Sequence, residues 1–456
     1  MAIVFSLCAA YVAYCLGTNP AGPLTTPDSD HYLNASAIVP LGYPLFLKIV
    51  GANGATIVQP LLFAGAVAFL GREIVNLTRS TWLAVAVVLG SMVLPQIRQF
   101  HASILSESLF LTMLIAFLGF SIRFCYHPTW QLIVLVATSV GIAATVRRTA
   151  FALVPVMVVM VLMQRQRLRQ SQVALLVVAA LAPFFVVIGA EQAAAPFLHA
   201  GQSSSLLGRH LFAKAALIDA PPRPAASEDP VRVALDRLLE NNYAPIRAVL
   251  AAAPPDVRGV LTTYYETCLQ GGCADDARRL MPDRSEPEQT ETLGDVGLAR
   301  IRRAPLAFLQ LTAMSYRSLW TVDRTRHPDR AGATTAFVAA HRPMPFERMA
   351  LALAPEHVFA FQPAARVRYM QWVMTAAGIW TGAIAAVGLA AAFASLRLPP
   401  ALAMAAVTAL SAHACLILTA FLATGFARFT IGVWPAIVTA SLLGIWSILP
   451  SRVTAR

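Results

Sequence analysis

Charge is what this chain has least of: only 13% of its 456 residues are Asp, Glu, Lys or Arg. Soluble globular chains carry about 25%, so the deficit excludes a soluble cytosolic domain. Lysine is nearly absent, with two residues (Lys48 and Lys214) among 35 cations, and acids number 23, which gives a formal charge of +12. A nucleic-acid binder with such a surplus would carry a dense basic surface; here the cations are separated by long apolar runs. Six cysteines in this length exclude a disulfide scaffold. There is also no Gly-rich phosphate loop or dinucleotide fingerprint. What the chain does have is 57% hydrophobic residues arranged in runs of membrane length. It is expected to be an all-α polytopic membrane protein.

A helix that crosses the hydrocarbon core needs roughly 20 apolar residues. Ten stretches approach that length: 1–17, 51–71, 81–95, 106–122, 130–146, 149–164, 173–190, 371–394, 400–422 and 430–449. The first has no basic n-region and no small-residue cleavage site, so it reads as a membrane helix rather than a signal peptide. Alternating the ten spans puts Arg72, Arg79, Arg123, Arg165, Arg167, Arg169, Arg397, Arg452 and Arg456 on one side, against the single acid Glu73. By the positive-inside bias that side is the cytoplasm. The opposite short loops carry Lys48, Arg98, Arg147, Arg148 and Arg428. The chain therefore divides into a membrane module at 1–190 with its first outer loop at about 18–50, an extracytoplasmic segment at 191–370, and membrane helices at 371–456. The Arg-over-Lys bias and abundant Ala fit a GC-rich bacterial genome, hence a bacterial plasma (inner) membrane.

The outer segment has ordinary soluble composition, with 21 Lys plus Arg against 19 Asp plus Glu. Ser227-Glu228-Asp229-Pro230 marks a capped helix start, with Pro in the first turn. Arg300 to Trp320 has apolar residues recurring at three and four, which fits either an amphipathic helix at the membrane surface or a packed helix of the outer domain. Cys268 and Cys273, in CLQGGC, are either a local disulfide across a Gly-Gly turn or two free thiols. Cys8, Cys15, Cys125 and Cys415 lie in or beside spans and read as small core residues.

Outside 191–370 there are only four acids: Asp28, Asp30, Glu73 and Glu107. Three of them fall on the outer side. Carboxylates at the edge of a membrane bundle are costly to desolvate and are candidates for function. Asp28 and Asp30, two apart, can present both carboxylates to one side of an extended loop. They can jointly hold a divalent cation, or one can act as base while the other positions it. Pro27-Asp28-Ser29-Asp30 is equally ordinary turn chemistry. Arg147, Arg148, Arg428 and Lys48 are cations on the same side that either grip a phosphate or snorkel to the interface.

The stretch DSDHYLNASAIVPLGYPLFLKIVG resembles the first outer loop of the GT-C superfamily of integral membrane glycosyltransferases. The likeness is to the bacterial branch related to protein O-mannosyltransferases and the lipid A aminoarabinose transferase. Asp28 and Tyr32 match its first element, and Pro40, Gly42, Tyr43 and Pro44 its second. SESLF with Glu107, RRTAFALVPVM with Arg147 and Arg148, and GFARFTIGVWPAI with Arg428 follow in family order. Leu41 separates Pro40 from Gly42, and Phe429 stands where the family has Tyr. The resemblance implies transfer of a sugar from a polyprenyl-phosphate donor to an acceptor hydroxyl on an envelope lipid, polysaccharide or protein. Asp28 or Asp30 would be the base of an inverting attack, Arg147, Arg148, Arg428 and Lys48 would hold the donor phosphate, and a divalent cation (Mg or Mn) would sit near Asp28, Asp30 and Glu107. Tyr32, Tyr43, His101 and Glu107 would line the cavity. The competing class is a transporter or lipid flippase of envelope assembly.

Overall fold

The computed structural model describes the chain except for residues 20–21, 27, 199–205, 222–228, 253–256, 259–260, 262–267, 270–271, 322–363, 424–426 and 450–456; side chains are also excluded at 245, 272–274, 364–368 and 427–428. The described residues are helical, with no strand beyond one isolated bridge between Leu24 and Ser103. They form two compact units. The first comprises Met1–Gly201, Ala376–Cys415 and Thr430–Arg456; the second comprises Gln202–Thr375 and Leu416–Phe429.

The helices of the first unit's N-terminal segment are α1 (Ala2–Thr18), α2 (Ser29–Leu33), α3 (Gly42–Thr78), α4 (Thr81–Met92), α5 (Pro95–Ala102), α6 (Ser106–Tyr126), α7 (Trp130–Val146), α8 (Leu153–Met163) and α9 (Gln170–Leu198). Two features break the apolar runs. Gly51 lies at φ 73°, a left-handed conformation that only glycine adopts without strain, and it kinks α3 into a short lead-in and a span at Ala52–Thr78. Pro95 has no N–H to continue α4, so it opens α5 at a 60° bend. Ser80 and Thr129 cap α4 and α7 by accepting the Leu83 and Leu132 amides. The most buried of these helices is α6, which packs between α3 and α7, whereas α9 turns Leu175, Val178, Phe185 and Val186 outward. Among the described residues six helices are long and apolar enough to cross a membrane, or seven if the bent α4–α5 pair is one span. Ala2–Thr18, Trp130–Val146 and Trp434–Ile448 are shorter apolar helices. An apolar helix that faces outward has lipid as its natural solvent. The chain is therefore an all-α, multi-pass membrane protein.

The second unit contains α10 (Leu207–Ala216), α11 (Pro230–Ala251), α12 (Gly272–Leu280), α13 (Glu286–Arg303) and α14 (Pro305–Leu319). Asp229 caps α11 by accepting the Val231 amide, with Pro230 in the first turn, as the sequence indicates. The expected single helix at 300–320 is instead two. Pro305 lacks the amide to carry α13 onward, so α13 ends at Arg303 and α14 starts anew. Arg300 is almost completely buried inside the unit rather than at a surface. Its guanidinium donates to the Asp236 and Glu240 carboxylates and to the carbonyls of Ala215 and Ile218. Phe212, Leu235, Leu239, Tyr243 and Leu293 belong to the hydrophobic core of the same unit. Cys268 is disulfide-bonded; the Cys273 side chain lies outside the described residues. The helices that continue the chain are α15 (Ala364–Ala394), α16 (Pro400–Leu422), α17 (Ala427–Gly432) and α18 (Trp434–Ile448).

Lys214 is fully buried, donating to Ser315 Oγ at 2.9 Å and to the Ala420 carbonyl at 2.8 Å. Burial pushes its ammonium down to about 7 from 10.5. Because the folded value lies below the unfolded one, the unfolded chain binds more protons between those two values, and stability should rise with pH across that window. Denaturant titrations at pH 7 and pH 9.5 should show this gain, and Lys214→Met should abolish it. Arg300→Ala leaves Asp236 with Arg303 as its remaining cation and strips the Ala215 and Ile218 carbonyls of their donor, so it should cost about 2–3 kcal/mol in the same titration; a cost below about 1 kcal/mol would contradict the buried network.

Candidate functional site

The loop that joins α1 to α3 is fastened down by backbone before any side chain acts. The Leu24 amide donates to the Ala102 carbonyl at 2.8 Å, and the Ile104 amide donates back to Leu24 at 2.9 Å. Ser29, fully buried, accepts the Thr26 amide at 2.8 Å and donates to the Ile104 carbonyl at 2.9 Å. These bonds lay α2 across the α5–α6 connection. From there the Tyr32 hydroxyl reaches Ser106 Oγ at 2.9 Å, at the start of α6.

The next residue of α6, Glu107, is buried and forms an ion pair with Arg147 at 2.9 Å. Arg147 also donates to Ser106 Oγ at 3.3 Å. Tyr32, Ser106, Glu107 and Arg147 thus form one polar cluster, and the Asp28 carboxylate lies within electrostatic reach of the Tyr32 phenol. The phenol is pushed up to about 12, first by burial, then by the Glu107 carboxylate, with Arg147 opposing. Tyr32 is therefore a neutral hydrogen-bonding group at physiological pH. Asp30 is exposed and lies in the first turn of α2.

Arg148 is held separately. Its guanidinium takes Glu191 of α9 in a two-pronged contact, one arm at 3.1 Å, and Glu191 also accepts the Leu41 amide at 3.0 Å. One buried carboxylate therefore joins the 147–148 connection, α9 and the start of α3. Gly42 permits this approach: a Cβ there would stand 2.7 Å from the Thr145 carbonyl oxygen.

Tyr43 meets Tyr32 edge to face at 5.0 Å and donates to Gln59 Oε1. Gln59 in turn donates to the carbonyls of His101 and Ser103. His101 is buried, shares a 2.7 Å hydrogen bond with Ser108 and packs on Phe63. It belongs to the wall behind the site. Lys48 is exposed on the α3 lead-in; the Arg428 side chain lies outside the described residues.

The structure thus gathers Asp28, Tyr32, Glu107 and Arg147, with Tyr43 adjoining. It does not gather Asp28, Asp30 and Glu107 into a metal site. Among the described residues no group of three or more His, Cys, Asp or Glu comes together at ligand spacing. Glu107 is already committed to Arg147, so this donor set does not fit a divalent cation. Sequence reasoning missed Ser106, Gln59 and Glu191. Gln59 and Glu191 carried a signal, as lone polar residues in apolar helices. Glu191 was hidden because the outer segment was taken to begin there. Ser106 offered no signal apart from its neighbour.

Removing either partner of Glu107–Arg147 leaves a buried charge uncompensated. A double-mutant cycle on thermal stability with Glu107→Gln and Arg147→Met should give a coupling of about 1–3 kcal/mol; additive single effects would mean that the two side chains do not pair. No family model matches this chain, and neither the curated proteins nor the solved structures contain a match.

Proposed function

We propose that the chain is an integral membrane glycosyltransferase that moves a sugar from a polyprenyl-phosphate donor to an acceptor hydroxyl. The observation that carries this reading is the buried Glu107–Arg147 pair beside Tyr32, Ser106 and Asp28, at one end of an apolar helical unit. A snorkelling arginine needs no buried carboxylate, whereas an arginine that must meet a phosphate in a fixed orientation does. The resemblance of the DSDHY, SESLF and RRTAF stretches to GT-C transferases supports the same reading. In this reading ten spans place the site on the outer face of a bacterial plasma membrane, with the Arg-rich loops in the cytoplasm.

Asp28 is the general base. It takes the proton of the acceptor hydroxyl as that oxygen attacks the anomeric carbon from the face opposite the phosphate. The bond from the anomeric carbon to the phosphate oxygen breaks, configuration inverts, and polyprenyl phosphate leaves with the bonding electrons. Arg147 stabilises the charge that grows on the phosphate, and Glu107 fixes its direction. Tyr32, neutral and tied to Ser106, donates or accepts hydrogen bonds without taking part in proton transfer. Arg148 is a positioning residue, since Glu191 occupies its fork.

The 60° break between α4 and α5 favours a second reading, because transporters use interrupted helices at their binding sites. A flippase would move the same lipid without chemistry.

One assay separates these readings: purified protein, a panel of radiolabelled polyprenyl-phosphate sugars and an envelope acceptor fraction. Wild type should transfer label, Asp28→Asn should fall by about a hundredfold or more, and Asp30→Asn should stay within severalfold. Transfer that survives Asp28→Asn removes the base assignment. Movement of donor across proteoliposomes, with no transfer from any donor, would establish the flippase instead.

A further inference from the structure

At the other end of the first unit lies a group of cations with a different character. The connection after α8, residues 164–169, meets the connection between α15 and α16, residues 395–399, and the two are laced together. Arg165 donates to the Phe393 carbonyl at 2.7 Å and to Ser395 Oγ. Arg397 Nε donates to Gln166 Oε1 at 2.7 Å, and Arg167 reaches the Cys125 carbonyl at the end of α6. Ser395 sits at φ 55°, a left-handed conformation that costs a non-glycine residue free energy. A glycine would relieve that cost but would lose the hydroxyl that accepts from Arg165.

Between the connections is an open cleft lined by Cys125, Gln164, Gln166, Arg167, Arg397 and the apolar start of α16. Its lining has two arginines, two glutamines and no acid. Among the described residues no carboxylate forms an ion pair with Arg165, Arg167 or Arg397. In the same unit, by contrast, Arg147 and Arg148 each have one. The acid of this end, Glu73, is buried and accepts the Tyr126 hydroxyl. Arg397 is oriented through Nε, which leaves its two terminal amino groups as a fork. Converging guanidinium groups with no internal counter-charge are stabilised by an anion, and two forks beside glutamine amides suit the oxygens of a phosphate. The cleft adjoins the end of the apolar helix α16, where a lipid headgroup would lie.

We infer that this cleft is a phosphate-binding site that takes the headgroup of an anionic lipid, built by the 164–169 and 395–400 connections and gripped by Arg167 and Arg397. It is independent of the proposed transferase site, and its occupant would cross-link two connections that the chain joins only through distant sequence. The chemistry is shared with free phosphate, so the test separates the two sources. Full-length protein in neutral detergent is titrated with phosphatidylglycerol mixed micelles, with phosphatidylcholine mixed micelles and with inorganic phosphate alone, reading thermal midpoint and bound lipid by native mass spectrometry.

Wild type should bind phosphatidylglycerol in preference to phosphatidylcholine. The Arg167→Gln/Arg397→Gln variant should bind it roughly thirtyfold more weakly, the value of two surface cations against an anionic headgroup. Arg98→Gln, the loss of one cation at the opposite end, should bind as wild type. Arg167→Lys/Arg397→Lys keeps the charge, so it should remain folded while still losing affinity through its missing forks. Equal response to inorganic phosphate, lost in the same variants, would reassign the site from lipid to a soluble phosphate. Unchanged phosphatidylglycerol binding in Arg167→Gln/Arg397→Gln would overturn the inference, as would no binding by wild type.

Discussion

Two consecutive arginines at the end of an apolar helix set the arrangement of the candidate site. Arg147 and Arg148 follow seventeen residues of α7 that contain no charge. A carboxylate buried beside such a point needs a cation next to it. Arg147 takes Glu107 from α6 and Arg148 takes Glu191 from α9. Glu191 then accepts the Leu41 amide and so fixes where α3 begins. Four chain segments meet at two neighbouring residues because each buried carboxylate needs a cation beside it and the consecutive arginines supply both. Tyr32, Ser106 and Asp28 are placed on this frame rather than placing it.

The same rule sorts the rest of the chain. In the second unit acids are plentiful, and Arg300 is a core residue with Asp236 and Glu240 as its partners. At the Arg-rich end of the first unit they are not, and Arg165, Arg167 and Arg397 bind carbonyls, a hydroxyl and an amide side chain instead. Neutral acceptors hold a guanidinium in place without cancelling its charge. That end therefore keeps a positive charge that no carboxylate among the described residues pairs with.

Much of the fold was legible because an apolar run of span length has few alternatives to a helix. The runs at 106–122, 130–146 and 400–422 became α6, α7 and α16 with small changes at their ends. Carboxylate scarcity drew attention to Asp28 and Glu107, which lie in the same polar neighbourhood. Legibility failed where a partner, not a pattern, decides the outcome. Whether Arg148 faces a ligand or Glu191 depends on how α7 packs against α9, and nothing in either helix alone records that. The break at Pro305 was overlooked for another reason: the apolar period continues in phase across it, so the missing amide was the only sign.

The neighbourhood of Tyr32, Glu107 and Arg147 is proposed to receive the phosphate of a polyprenyl lipid. Photo-affinity labelling tests it most directly, using a polyprenyl phosphate with a diazirine close to the phosphate, followed by peptide mapping. The account predicts covalent label within residues 24–44, 101–108 or 146–152, reduced by excess unlabelled lipid. Competable label confined to peptides outside those three segments would contradict it.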